Sequence, residues 1–236
     1  MRTVLSVFAA ISIVVSSMAY ADKFSVDLDL KKPEVAAKEA EADGWFNKGN
    51  TAYQANNYDE AITCYKKAAE MDPAFASAYY NLGIIYAKRK QPEEAISAYK
   101  KVLTIDPAYH AARNNLASLY IQKGMIDEAI SELEKAVAGS ADFSHAHYNL
   151  GECYLKKGNK TLAADHYYKA GVLFAEKGDT VWAQRSYDNL MRADAGKQAK
   201  DLLEKMKAEP KQEPKQEPKQ EPITIDQVIE KQPKVQ

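Results

Sequence analysis

Ala61, Ala95, Ala129 and Ala163 stand 34 residues apart, and the residues around them repeat in step. Twelve residues before each comes Gly49, Gly83, Ala117 or Gly151. Four residues after each comes Tyr65, Tyr99, Leu133 or Tyr167, and three further on Ala68, Val102, Ala136 or Ala170. Four such copies run without a gap from Ala42 to Lys177. A unit of this length is one supersecondary element that cannot bury its apolar face alone, so neighbours stack and share a core. The period therefore predicts a solenoid, an architecture that offers binding surface rather than a catalytic cleft.

Each unit reads as two antiparallel helices. In the second unit they are expected at about residues 76–88 and 92–105. Pro92 suits an early helical position, and Asp106-Pro107 stops the helix because proline disfavours helical geometry in the residue before it. Gly83 and Ala95 are small enough to let backbones approach, while Leu82, Tyr86 and Tyr99 fill the space between helices. After the fourth unit the phase slips. Tyr167, Ala170, Gly171, Phe174, Gly178, Ala183 and Tyr187 fit a fifth copy that starts inside the second helix of the fourth. This predicts a degenerate terminal element with closing helices at about residues 180–193 and 195–207, covering the end of the solenoid.

With Tyr79, Leu82, Gly83, Tyr86, Ala95, Tyr99 and Pro107, the second unit resembles the tetratricopeptide repeat, with aromatic exchanges in its W-x2-L-G-x2-Y…A-x3-F…P pattern. The first unit carries Trp45, Gly49, Ala61, Tyr65, Ala68 and Pro73, but has Lys48 and Ala52 where leucine and tyrosine are usual. The last two units have Ala141 and Ala175 in place of the closing proline. The resemblance implies an all-α fold, a right-handed α-solenoid of antiparallel helix pairs with capping helices. The expected division is residues 42–75, 76–109, 110–143 and 144–177 for the repeats, and 178–208 for the degenerate repeat and caps.

The flanks read differently. Residues 1–21 have the layout of a secretory signal: Met1-Arg2, an apolar run over residues 3–18, then Ala19-Tyr20-Ala21 before Asp22. Cleavage after Ala21 and export, most simply to a periplasm, are expected. The apolar run is shorter than the ~20 residues that span a bilayer, and no other segment is apolar enough to do so. Residues 22–41 comprise an alternating segment, with Phe24, Val26, Leu28 and Leu30 at period two, and a lead-in helix from Pro33. Residues 209–236 form a disordered tail by composition: E-P-K-Q three times, Glu221-Pro222, and the apolar cluster Ile223-Thr224-Ile225-Asp226-Gln227-Val228-Ile229. Proline at every fourth position excludes a continuous helix there.

Charge is close to balance, 32 basic against 33 acidic residues, and no basic run marks a nucleic-acid or membrane footprint. Cys64 and Cys153 lie in the first and fourth units. Helix spacings of 8–10 Å put them on the order of 25 Å apart, too far for a disulfide. Cys153 is expected to pack as a small hydrophobe and Cys64 to be exposed. His145 and His147 are two apart, so on a helix they face different ways and read as ordinary polar residues. No phosphate loop, Cys-x-x-Cys pair or nucleophile with a base at workable spacing is present, so no catalytic residue, metal ligand or cofactor is assigned.

The resemblance places the first helix of each unit on the concave wall. Asparagine fills the sixth position every time: Asn47, Asn81, Asn115 and Asn149. Phe46, Tyr80, Asn114 and Tyr148 precede them, and Asn50 and Ile84 follow three residues on. An asparagine amide both donates and accepts, which suits the backbone of an extended peptide, and the aromatics suit its apolar side chains. The two-carboxylate clamp of some family members does not fit, because Phe46, Ala111 and Asn115 stand at its basic positions. The expectation is an exported scaffold that binds a segment of a partner protein with micromolar affinity. The alternative is a self-associating assembly protein, a homo-oligomer whose terminal segments dock in neighbouring grooves.

Overall fold

The computed structural model of this chain describes residues 33–207. Among them are ten helices and no strand: α1 Pro33–Gln54, α2 Tyr58–Met71, α3 Ala76–Lys88, α4 Pro92–Ile105, α5 His110–Gln122, α6 Ile126–Gly139, α7 Ser144–Lys156, α8 Lys160–Glu176, α9 Thr180–Arg192 and α10 Gly196–Lys207. The two helices expected in the second unit have the expected bounds. The chain divides into two units, with the boundary between Ala40 and Glu41. Of the first, the described residues 33–40 are helical. The second is a stack of helix pairs. The signal, the alternating segment and the tail lie outside the described residues.

The helices start and stop for local reasons. Acidic pairs occupy the first turn of α2 (Asp59, Glu60), α4 (Glu93, Glu94) and α6 (Asp127, Glu128), where the helix dipole favours negative charge. Asn159 and Asp179 cap α8 and α9 by accepting from the backbone N–H of Leu162 and Trp182. The first helices of the four units end at Asn56, Lys90, Gly124 and Gly158, all with positive φ. In each case the next residue donates its N–H back five positions, for example Gln91 to the Tyr86 carbonyl at 2.9 Å.

Helix pairs are locked by the period-defining columns. A methyl group added at Gly49, Gly83 or Gly151 would lie 2.6–2.7 Å from the ring of Tyr65, Tyr99 or Tyr167. Those tyrosines are buried. In the third unit both partners change: Ala117 supplies the methyl, and the smaller Leu133 makes room for it. Both are fully buried. The two exchanges conserve the volume at the helix crossing.

Successive units are also joined at the surface. Arg89 pairs with Asp59 at 2.7 Å, Lys123 with Glu93 at 2.7 Å and Lys157 with Asp127 at 2.6 Å, each a cation reaching an acid 30 residues back. The next rung would fall on Met191 and Thr161, so this series stops where the phase slips. There α8, with 17 residues, serves two neighbours. It completes the fourth helix pair with α7, and both α9 and α10 pack on it. Gly171 on α8 faces Leu202 of α10 and Ser186 of α9, and Leu202 is fully buried. New contacts replace the lost rung: Lys160 pairs with Asp194, and Gln198 donates to Asp165 at 3.0 Å. Among the described residues no helix is long and apolar enough to cross a membrane.

Candidate functional site

The first helices, α1, α3, α5 and α7, carry the ten residues singled out in the sequence. Asn47 is exposed, and Phe46, Asn50, Asn81 and Tyr148 are half-buried. Tyr80, Ile84, Asn114, Asn115 and Asn149 are buried. The structure brings most of them together across the joints between units. Asn81 donates to Asn50 Oδ1 at 3.2 Å, and Tyr65 OH donates to the same oxygen at 2.8 Å. Asn115 Nδ2 reaches Tyr80 OH at 3.1 Å and Tyr99 OH at 3.4 Å. Asn149 Nδ2 donates to Asn114 Oδ1 at 2.9 Å and Ser118 Oγ at 3.3 Å.

One rule covers these contacts. The sixth-position asparagine of a unit donates into the wall of the unit before it. Where that wall offers phenols, as in the second unit, the acceptors are hydroxyls. Where it offers Asn114 and Ser118, they are an amide and an alcohol. Three of the four amides the sequence reading gave to a peptide backbone, Asn81, Asn115 and Asn149, are therefore engaged in holding the units in register. Burial pushes the Tyr65 phenol up to about 12 and those of Tyr80 and Tyr167 further, so all three stay protonated at neutral pH. Asn114 Nδ2 is different: it is buried and makes no hydrogen bond among the described residues.

The wall continues into a cluster that the sequence reading missed. The His145 ring lies 4.9 Å from that of Phe174 and 5.0 Å from that of Trp182, both nearly edge-on. Tyr148 meets Trp182 at 5.0 Å, and Arg185 stacks over the Trp182 ring at 4.7 Å. Asn189 donates to Tyr148 OH at 2.9 Å, doing for the fourth unit what Asn115 does for the second. In the slipped phase Trp182 directly precedes the column alanine Ala183. Glu60, Glu94 and Leu162 hold that place in the first, second and fourth units, and an aromatic there was the available signal.

Two sequence expectations are corrected here. Cys64 is buried, 5% exposed, because it lies on the inner side of α2 beside Ala61 and Ala68. Burial raises its thiol, and pushes that of Cys153 up to about 12. His145 and His147 are not solvated polar residues but are buried. His147 Nε2 lies 3.1 Å from the Ala141 carbonyl, so it carries the proton, and Nδ1 is left to accept. His166 Nδ1 stands 3.0 Å from it and donates. The ring centroids are 5.3 Å apart, so the two nitrogens meet nearly head-on, as a shared hydrogen bond requires. Burial first, then Lys169, lowers His147 to about 4. Among the described residues no three His, Cys, Asp or Glu side chains converge on a metal position.

The family model for the tetratricopeptide repeat matches residues 46–110 and 114–179, and a second tetratricopeptide-repeat model matches residues 87–138. This chain belongs to the tetratricopeptide-repeat family. No curated protein matches it in sequence. Among solved structures this repeat protein is similar to the crystal structure of MamA, at 26% identity over 75% of this chain and 98% of that one, with a TM-score of 0.60. It is also similar to pilF of Pseudomonas aeruginosa (21% identity, 75% and 80% covered, TM-score 0.61). MamA from Desulfovibrio magneticus RS-1 matches at 22% identity, with 70% and 92% covered and a TM-score of 0.58. At these identities the last two likenesses speak to the fold alone.

Proposed function

We propose that this tetratricopeptide-repeat protein is an exported, non-catalytic adaptor. It holds an extended segment of a partner protein against the face built by α1, α3, α5 and α7, in assembly, secretion or maturation at the cell envelope. The observation that carries this reading is the make-up of that face. Phe46 and Tyr148, half-buried, supply aromatic surface, and the asparagine bonds between units hold the first helices in register. A pre-spaced row of such side chains lowers the ordering cost of binding an extended chain. The signal-like residues 1–21 support export.

The test is photocrosslinking in cells, with a photoreactive residue at Asn47 or Glu152 on the first-helix face and at exposed Lys66 on α2 as the contrast. Both face positions are expected to capture the same envelope protein, and position 66 not to. Capture from position 66 alone would end this reading of the face.

A further inference from the structure

We propose that His147 and His166 form a two-coordinate site for a soft monovalent cation, Cu(I), held between their Nδ1 atoms where α7 meets α8. The site is separate from the first-helix face and does not depend on the peptide-groove reading.

The first observation compares one helix crossing in successive units. Its two positions, the fourth and the twenty-third of a unit, hold Trp45 and Cys64, Tyr79 and Ala98, Arg113 and Glu132, then His147 and His166. In the third unit a cation meets an acid, with Arg113 Nη1 2.6 Å from Glu132 Oε2. In the fourth unit both positions hold bases, with their Nδ1 atoms 3.0 Å apart. Two bases face to face are complemented by one cation between them, and the shared proton is the smallest that serves.

The second is the tautomer. A ligating histidine commonly donates its other ring N–H to a carbonyl, which fixes the proton and aims the ring. Ala141 does this for His147: its carbonyl holds Nε2–H at 3.1 Å and leaves a lone pair on Nδ1. His166 presents a second lone pair once its proton moves from Nδ1 to Nε2 on the half-buried ring. Both rings stay neutral, nothing is oxidised or reduced, and the ion takes the place of the shared proton. Burial first, then Lys169, lowers the pKa of both rings, so the bases are not protonated at neutral pH.

The third is the choice of ion. With ring centroids 5.3 Å apart and nitrogens 3.0 Å apart, the two Nδ1 atoms point at each other along one line. An ion on that line has its two ligands on opposite sides. Among the described residues no third His, Cys, Asp or Glu joins them. Zn(II) takes four ligands at tetrahedral angles, which this pair does not offer. Cu(I), a closed-shell ion, accepts two ligands in line, and imidazole suits copper. Lys169 faces the pair and Asp165 and Glu134 offset part of its charge, so a single positive charge meets less repulsion there than a double one. Metal–nitrogen bonds of about 2 Å require the nitrogens to part by about 1 Å. His166 is the ring free to move: it is half-buried, and the Tyr154 ring lies within 10° of parallel to it, a face along which it slides. Tyr154 is itself held by its hydroxyl, which donates to Glu134 at 3.0 Å.

The experiment uses the purified full chain with Cys64→Ala and Cys153→Ala, so that no thiol competes for the ion. Alanine already fills the Cys64 position in the second unit, as Ala98. Cu(I), kept reduced by ascorbate, is titrated in competition with a chromophoric Cu(I) chelator, and the histidine ring nitrogens are followed by 1H–15N NMR. One ion per chain is expected, with the Nδ1 signals of His147 and His166 shifting together. The same ring shifts are expected in the chain that keeps its cysteines. His166→Gln should weaken binding at least tenfold. Its amide still donates to His147 Nδ1, so Tm without the ion should stay near that of the parent, and the rise in Tm that the ion gives the parent should disappear. His110→Gln should leave binding unchanged. Zn(II) bound at the pair as tightly as Cu(I) would overturn the linear assignment. Failure to bind Cu(I), binding that leaves the two Nδ1 signals unmoved, or equal binding by the His166→Gln chain would overturn the site.

Discussion

The second and third units solve one packing problem with different pairs. Gly83 lets the Tyr99 ring lie against α3, and the Tyr99 hydroxyl then meets Asn115 of the next unit. The third unit puts a methyl where the ring edge would be, and fills the reduced space with Leu133. With Leu133 and Asn114 where the second unit has Tyr99 and Tyr80, it offers no phenol at the joint, and Asn149 donates to Asn114 and Ser118. The difference teaches that the repeat fixes volume at the helix crossing and an acceptor at the joint, not the residues that supply them. The unpaired amide falls on the third unit, where Asn114 accepts in place of a tyrosine hydroxyl but carries a separate NH2 group that finds no acceptor among the described residues.

The largest expected effect separates the fourth unit from both. There a pair of histidines joins the helices, His147 on α7 to His166 on α8. Lys169, Asp165 and Glu134 face the pair, and the Tyr154 ring stacks on His166. The depressed folded value of His147, about 4, lies below the ordinary 6.5. Its stability contribution is therefore full above about pH 6.5, and is lost as pH falls from there to about 4. The difference corresponds to about 3 kcal/mol. Urea unfolding at pH 7, 5.5 and 4 should show this loss, and His147→Phe should flatten the slope. An unchanged slope in the variant would assign the acid sensitivity elsewhere.

Next in size is the volume lock. Gly83→Ala places a methyl 2.6 Å from the Tyr99 ring and should cost about 1–3 kcal/mol. Leu133→Tyr should cost a similar amount in the third unit, because Ala117 stands where Gly83 does. Ala117→Gly combined with Leu133→Tyr rebuilds the second-unit solution. A double-mutant cycle on unfolding free energy should then show favourable coupling of at least 1 kcal/mol. Additive costs would mean that the two columns do not share one space.

The fold was legible because its determinants recur. Glycine, alanine and tyrosine at fixed offsets specify a crossing, and four copies raise the pattern above chance. The helix bounds of the second unit followed from Pro92 and Asp106-Pro107. The candidate site was legible as a column, but not as a set of bonds. Sequence period gives the face and register of Asn115, yet not that two phenols from the preceding unit lie within its reach. Cys64 was misplaced for a related reason, since its contacts come from neighbouring helices. The Trp182 and Asn189 contacts were hidden by the phase slip, which moves wall residues out of their columns just where α8 takes on a second partner. The histidine pair lies on two helices, and proximity across a helix pair has no period to reveal it.

The asparagine column gives a smaller and graded test of the same comparison. Asn115→Ala removes donors to two tyrosines in a buried joint and should cost about 1–2 kcal/mol. Asn47→Ala, at an exposed site at the head of the column, should change thermal stability by less than about 0.5 kcal/mol. Equal effects at the two positions would return the column to a ligand-binding role with no part in joining units.

The smallest effect lies at the turn between helices, where the units differ again. Asn56, Lys90, Gly124 and Gly158 all hold positive φ, yet the first two carry side chains. Asparagine tolerates this geometry by hydrogen bonding locally, and glycine has no Cβ to clash. Lysine has neither advantage, so Lys90 at φ 58° stands as a local cost in the second unit. Lys90→Gly relieves it, while the added freedom of glycine in the unfolded chain works the other way. The net gain should be a few tenths of a kcal/mol up to about 1, read as a small rise in Tm. Gly124→Lys should reverse the sign in the third unit. If both substitutions lower Tm, the Lys90 side chain does something at the surface that outweighs its backbone strain, and the two turns are not equivalent after all.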